Sequence, residues 1–142
     1  MIVADSSALI ESYRRGGAPA VRAVVAAAIA ADALAINGII HVEVVGFAAD
    51  EREQRVLREG FRAFHWLELR KRDFDLAASI GFDLRRRGRT VPATDLIIAA
   101  TAIHANAELI HVDDHFDEIA NVSPLLCRNP AAPARRPPRR GA

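Results

Sequence analysis

Apolar residues in this chain fall into short runs that stop abruptly at polar ones, separated by longer stretches of helical period. Ile2-Val3-Ala4 ends at Asp5, the pattern of a strand buried on both faces that turns into a helix near Ser7. Arg14 to Gly17 reads as a basic loop, and Pro19 to Ala31 has high helix propensity throughout. Ala33 to Ile36 reads as a second strand, and Asn37-Gly38 as a turn. Ile39 to Ala49 predicts a helix with Ile40, Val44 and Phe47 on one face. Glu51 to Phe64 predicts an amphipathic helix anchored by Val56, Phe61 and Phe64. His65 to Leu69 fits a third strand and Asp73 to Arg87 a helix closed by Gly88. Thr90 to Asn106 is a helix opened by Pro92 and Thr94. Leu109 to Val112 is a further buried strand that stops at Asp113. A short helix near His115 and a last strand at Leu125-Leu126 complete the pattern. Strands alternating with helices imply an α/β fold whose mostly parallel sheet is covered on both faces, with ligands bound beyond the carboxyl ends of the strands.

Composition narrows this picture. The chain has 142 residues, 51% hydrophobic and 26% charged, as in an ordinary globular domain. One domain over residues 1–128 is expected, followed by a Pro/Arg-rich tail, 129–142, whose makeup predicts disorder. The net charge is +1, but the tail carries four arginines and no acid, so residues 1–128 carry −3. Bulk charge therefore excludes a strongly basic nucleic-acid binder, and any such binding must come from local patches. A single cysteine, Cys127, excludes an internal disulfide and a multi-thiolate zinc site. It fits inert packing and a reducing, cytoplasmic compartment. The start lacks the basic residues of a signal peptide, and the most apolar window, Ala23 to Val42, contains Asp32, so no membrane span is expected.

Four acids stand out. Asp5 and Asp113 each follow a buried strand, and parallel pairing would bring both to one sheet edge. Glu43 lies beside a core-facing stripe, and Asp95 sits in the first turn of an apolar helix. Taken singly, each has an ordinary explanation as a helix cap, a dipole partner or a solvated acid. Together, four carboxylates in one cleft require a counter-charge. Oxygen ligands without cysteine or paired histidine favour Mg²⁺, with Mn²⁺ as the alternative, and such a centre suits phosphodiester hydrolysis.

The acids stand in recognisable surroundings. Val3-Ala4-Asp5-Ser6-Ser7-Ala8-Leu9-Ile10, His41-Val42-Glu43-Val44, Ala93-Thr94-Asp95-Leu96-Ile97-Ile98-Ala99-Ala100-Thr101-Ala102 and Leu109-Ile110-His111-Val112-Asp113-Asp114-His115-Phe116 resemble, in order, the four motifs of PIN-domain nucleases, and of the VapC toxins in particular. The resemblance covers Ile2 to about Leu126. It implies a PIN-like α/β/α sandwich with a small, mostly parallel central sheet. It also implies a metal site formed by Asp5, Glu43, Asp95 and Asp113, with Ser7 beside Asp5 and Thr94 beside Asp95. Two departures stand out. Where many relatives have a second acid two residues after the fourth motif's aspartate, this chain has His115, and an extra acid, Asp114, follows Asp113. Asp114 or Asp117 therefore competes with Asp113 as fourth acid. VapC toxins are Mg²⁺-dependent endoribonucleases that cut structured RNA, such as tRNA or rRNA, and stop translation. They are held inactive by a cognate VapB-type antitoxin and usually form homodimers. Those properties are implied here by resemblance.

Basic residues supply a weaker signal. Arg14 and Arg15 follow the first motif, and Arg85, Arg86, Arg87 and Arg89 precede the third. They suit RNA phosphates, and equally suit solvated helix ends. Phe64 and Trp66 read as core or dimer surface. His41, His104, His111 and His115 lack metal-ligand spacing, although His115 is placed to meet phosphate. A phospho-receiver would need a lysine near its aspartates, and the only one, Lys71, is far from every motif. A haloacid-dehalogenase-type phosphatase would need an acid where Ser7 stands. The remaining alternative is a catalytically weak RNA-binding or regulatory subunit acting mainly through an antitoxin complex.

Overall fold

The computed structural model describes residues 1–132. Chain order is β1 (Ile2–Ala4), α1 (Ser6–Tyr13), α2 (Pro19–Ala30), β2 (Leu34–Asn37), α3 (Gly38–Val45), α4 (Glu51–Phe61), β3 (His65–Leu67), α5 (Lys71–Arg86), α6 (Ala93–His104), β4 (Glu108–Ile110), α7 (His115–Ala120) and β5 (Cys127–Arg128). The tail expected to be disordered lies, beyond residue 132, outside the described residues.

The five strands form one sheet in the order β3-β2-β1-β4-β5, and every pairing is parallel. From β1 the chain winds outward through β2 and β3, and later returns to the other side of β1 for β4 and β5. Right-handed crossovers that reverse direction in this way place helices on opposite faces, and the reversal leaves a crevice between β1 and β4. The register sets that crevice: Ile2 pairs with Glu108 and Ala4 with Ile110, so both strands end level. The core is apolar and dense, with Leu9, Ile36, Ile40, Ile98, Leu109, Ile110 and Phe116 fully buried. Each such side chain contributes roughly 1.5–3 kcal/mol of transfer free energy.

Several expectations change in detail. Asn37-Gly38 is an N-cap rather than a turn: Asn37 ends β2, and its Oδ1 accepts from Ile40 N–H at 3.0 Å to start α3. Gly46 then closes α3, which leaves Phe47 outside the helix and 81% exposed rather than on its core face. In α4 Phe61 is buried as expected and Leu57 packs against the core, as does Phe64 after it, while Val56 faces out. The helix expected from Asp73 begins at Lys71, because Asp73 acts from its first turn: Oδ2 accepts from Arg70 N–H at 2.8 Å. The strand expected over Leu109–Val112 is β4, Glu108–Ile110, and the one expected at Leu125-Leu126 is β5, two residues later. Gly88 takes the left-handed conformation expected of it, with φ 73°. Trp66, on edge strand β3, is half exposed and meets His41 edge-on at 5.7 Å.

Candidate metal centre

The crevice at the ends of β1 and β4 receives acids from four elements. Asp5 is the N-cap of α1 and only 2% exposed. Its Oδ2 accepts from Ser7 N–H at 3.0 Å and from the Ser7 hydroxyl. Ser7 Oγ in turn accepts from Val112 N–H at 3.1 Å. One hydroxyl thus ties the first acid to the segment that carries Asp113. Asp5 Oδ1 is buried and finds no hydrogen-bond partner among the described residues. Such an orphan costs about 1–3 kcal/mol or more, a cost that a bound cation would offset.

Glu43 projects from α3, where Ser6 Oγ donates to its Oε1 at 3.4 Å. Asp95 lies buried in the first turn of α6, where the helix dipole favours an anion. Asp113 follows β4, and its backbone N–H donates to Nδ1 of the fully buried His111 at 3.1 Å. Its Oδ1 accepts from His115 N–H at 3.0 Å. His115 Nδ1 stands 2.9 Å from Asp95 Oδ2 and 3.3 Å from Asp113 Oδ1.

The four acids feel one another. Burial raises Asp5 above its ordinary range, Ser7 opposes that, and the charge of Asp113 adds to it. Glu43 is raised by burial and then by the charges of Asp5 and Asp95. Asp95 is raised by burial, with His115 opposing and Asp5 and Asp113 reinforcing. Desolvation pulls the His115 imidazole down, but the Asp95 hydrogen bond and the two neighbouring carboxylates outweigh it, so it sits above its usual value. A cluster in which three carboxylates resist ionisation, one oxygen is orphaned and a single imidazole supplies counter-charge fits a hard divalent cation such as Mg²⁺ or Mn²⁺. Asp95, Asp113 and His115 also place their donor atoms within 4.8 Å of one another.

Asp5, Glu43, Asp95 and Asp113 therefore converge, as their sequence positions suggested. Of the three candidates for fourth acid, Asp113 is the one that stands with the others. Asp114 is exposed before α7. Asp117 turns toward β5, with Oδ1 3.5 Å from His111 Nε2 and 3.9 Å from Cys127 Sγ. Ser7 is beside Asp5 as expected. Thr94 is exposed and makes no capping bond at the start of α6. Arg14 pairs with Glu11 at 3.0 Å, and Arg14 and Arg15 follow the far end of α1, about 14 Å along the helix axis from Asp5. Arg89 reaches Glu118 of α7 at 3.6 Å, on the flank of His115. Arg87 lines a hollow with Arg89, Glu118 and Asn121 that includes none of the four acids, while Arg86 lies over the Phe82 ring at 5.7 Å.

Two supporting residues escaped the sequence reading. Ser6, which holds Glu43, had a signal in the doubled serine after Asp5. Asn37 had a signal of the wrong kind, since Asn-Gly suggests a turn as readily as a cap.

The sequence matches the family described as "PIN domain" over residues 2–122. It is 33% identical over 130 residues to the VapC ribonuclease Mb1587 of Mycobacterium bovis, covering 88% of this chain and 96% of that protein. The same values hold for ribonuclease VapC11 of Mycobacterium tuberculosis. Among solved structures, FitAB bound to an IR36 DNA fragment superposes with a TM-score of 0.75 at 22% identity, over 92% of this chain and 95% of the other. DNA-bound VapBC from Salmonella typhimurium gives 0.72 at 16% identity, over 92% and 100%. At these identities the superpositions establish a shared fold.

Proposed function

The chain belongs to the PIN-domain family and, within it, to the VapC ribonucleases, and from that premise we propose that it is the endoribonuclease toxin of a VapBC module. Asp5, Glu43, Asp95 and Asp113 would hold Mg²⁺ or Mn²⁺. The observation that carries this is the buried, partnerless Asp5 Oδ1 within a group of mutually repelling carboxylates.

When bound, the cation supplies Lewis acidity at a phosphodiester and lowers the pKa of water beside it. The chain's own residues do the rest. Ser7 holds Asp5 in one rotamer and ties it to the Asp113 segment. Ser6 steers Glu43 toward the crevice. Asp113 is fixed by His111 from behind and by the His115 N–H in front. Arg87 and Arg89, which share a hollow beside α7, would hold RNA phosphates on that flank. Arg14, Arg15 and Arg86 extend that footprint farther from the acids.

A VapB-type antitoxin, a homodimer, a cytoplasmic setting and tRNA or rRNA as substrate complete the reading. The named VapC relatives support the RNA substrate, and the VapBC and FitAB neighbours support the antitoxin. Among the described residues no helix is long and apolar enough to cross a membrane.

The test is to induce the chain in cells and sequence the new RNA 5′ ends. Discrete ends that appear with the wild type and vanish with Asp5→Asn support the reading. Ends that persist in Asp5→Asn contradict it.

A further inference from the structure

The imidazole of His115 lies inside the acidic cluster. Its Nδ1 is 2.9 Å from Asp95 Oδ2 and 3.3 Å from Asp113 Oδ1. Neighbouring donors on an octahedral ion with bonds of roughly 2.1 Å stand roughly 3 Å apart. The spacing that serves a hydrogen bond without the ion therefore also serves two ligands sharing one. The approach of the ring is set by the main chain. His115 opens α7, its N–H is held by Asp113 Oδ1 at 3.0 Å, and the next residue, Phe116, is fully buried. Asp5, whose Oδ1 is buried without a partner among the described residues, feels the charge of Asp113. The other imidazole nearby faces elsewhere: His111 Nδ1 accepts from Asp113 N–H, and its buried Nε2 lies 3.5 Å from Asp117 Oδ1 with no hydrogen bond among the described residues.

We infer that His115 is a nitrogen ligand of the divalent ion at this centre, and that it turns the site's preference from Mg²⁺ toward Mn²⁺. The inference rests on the metal-centre reading above. Its basis is ligand chemistry. Mg²⁺ is bound through hard, charged oxygens, and imidazole adds little for it. First-row transition ions gain from nitrogen donors. A histidine at this position supplies a donor without a negative charge. It thereby lowers the electrostatic attraction on which Mg²⁺ depends, while keeping a ligand that Mn²⁺, as a first-row transition ion, accepts more readily than Mg²⁺ does.

The experiment uses the full chain loaded with Mn²⁺. Electron spin-echo modulation of the bound ion is recorded for wild type, His115→Gln and His115→Asp, and Mn²⁺ and Mg²⁺ affinities are measured by calorimetry. Wild type is expected to show imidazole nitrogen modulation that both variants lose. The Mn²⁺-over-Mg²⁺ preference should fall at least about tenfold in His115→Asp, the lower end of what losing even a hydrogen-bond partner of a metal ligand costs. Mn²⁺ bound to wild type with no nitrogen modulation overturns the inference and leaves the nuclease reading standing on its oxygen ligands. No Mn²⁺ binding, with Asp5→Asn indistinguishable from wild type, removes both. The wild-type spectrum decides ligation even if a variant fails to fold.

Discussion

Asn37 Nδ2 donates to Thr101 Oγ1 across 3.2 Å, and this buried bond joins the end of β2 to the middle of α6. The Thr101 hydroxyl donates to Ile97 O at 2.8 Å, while Asn37 Oδ1 caps α3. The helices that carry Glu43 and Asp95 are thus referenced to one side chain. Asn37→Ala should destabilise the protein by about 1–3 kcal/mol, because it strands buried polar groups as well as removing a cap. Urea unfolding measures this. A change within error of zero would mean that the two helices find their places without Asn37.

Repulsion among the acids carries a second consequence. Glu43→Gln keeps an oxygen for Ser6 to bond and removes one charge from the cluster. Without divalent ions, its melting midpoint should rise by about 2–4 °C for ~1 kcal/mol of relief. Added Mn²⁺ should stabilise it less than it stabilises wild type. Thermal melts in chelator and in Mn²⁺ check both halves. A lower midpoint in chelator would show that the acids are not in conflict.

The arginines divide by position. Arg87→Ala and Arg89→Ala should each reduce the slope of log affinity for RNA against log salt by about 1. Arg14→Ala should change it less, since Arg14 follows the end of α1 opposite Asp5 and is held by Glu11 at 3.0 Å, closer than Arg89 is held by Glu118. Filter binding across a salt series separates the two groups. Equal effects at Arg14 and Arg89 would contradict the footprint drawn on the α7 flank.

Burial, with the charge of Asp117 and its hydrogen bond, pushes the Cys127 thiol up to about 11. A raised value means that the neutral form is favoured in the fold. This contribution to stability is complete below the ordinary thiol range and is lost as pH rises toward the shifted value. Alkylation of the native protein at about pH 8 should therefore be slow, and should accelerate on unfolding. Equal rates in native and unfolded protein would contradict this.

The strand-then-acid pattern at Asp5 and Asp113 was legible because a parallel sheet levels the ends of its strands, and the register of β1 with β4 does so. Glu43 and Asp95 were legible because carboxylates beside apolar helical stripes are costly without a purpose. Phe47 and Val56 misled, because apolar identity marks a face only once the helix phase and end are known, and Gly46 ends α3 before Phe47. The choice of Asp113 over Asp114 and Asp117 was not legible. It depends on how the chain turns between β4 and α7, and that turn is set by His111 and Ser7, which are distant from one another in sequence. The contact of His115 with Asp95 joins residues twenty positions apart, and no spacing rule along the chain anticipates it.

We propose that the converging carboxylates hold a divalent ion with which the chain cuts RNA. The most direct measurement is cleavage of a defined RNA by the purified chain, stripped with chelator and then given Mn²⁺ or Mg²⁺. Cleavage is expected only after the ion is restored, falling at least about a hundredfold in Asp95→Asn. Cleavage that persists in chelator, or at wild-type rate in Asp95→Asn, would contradict it.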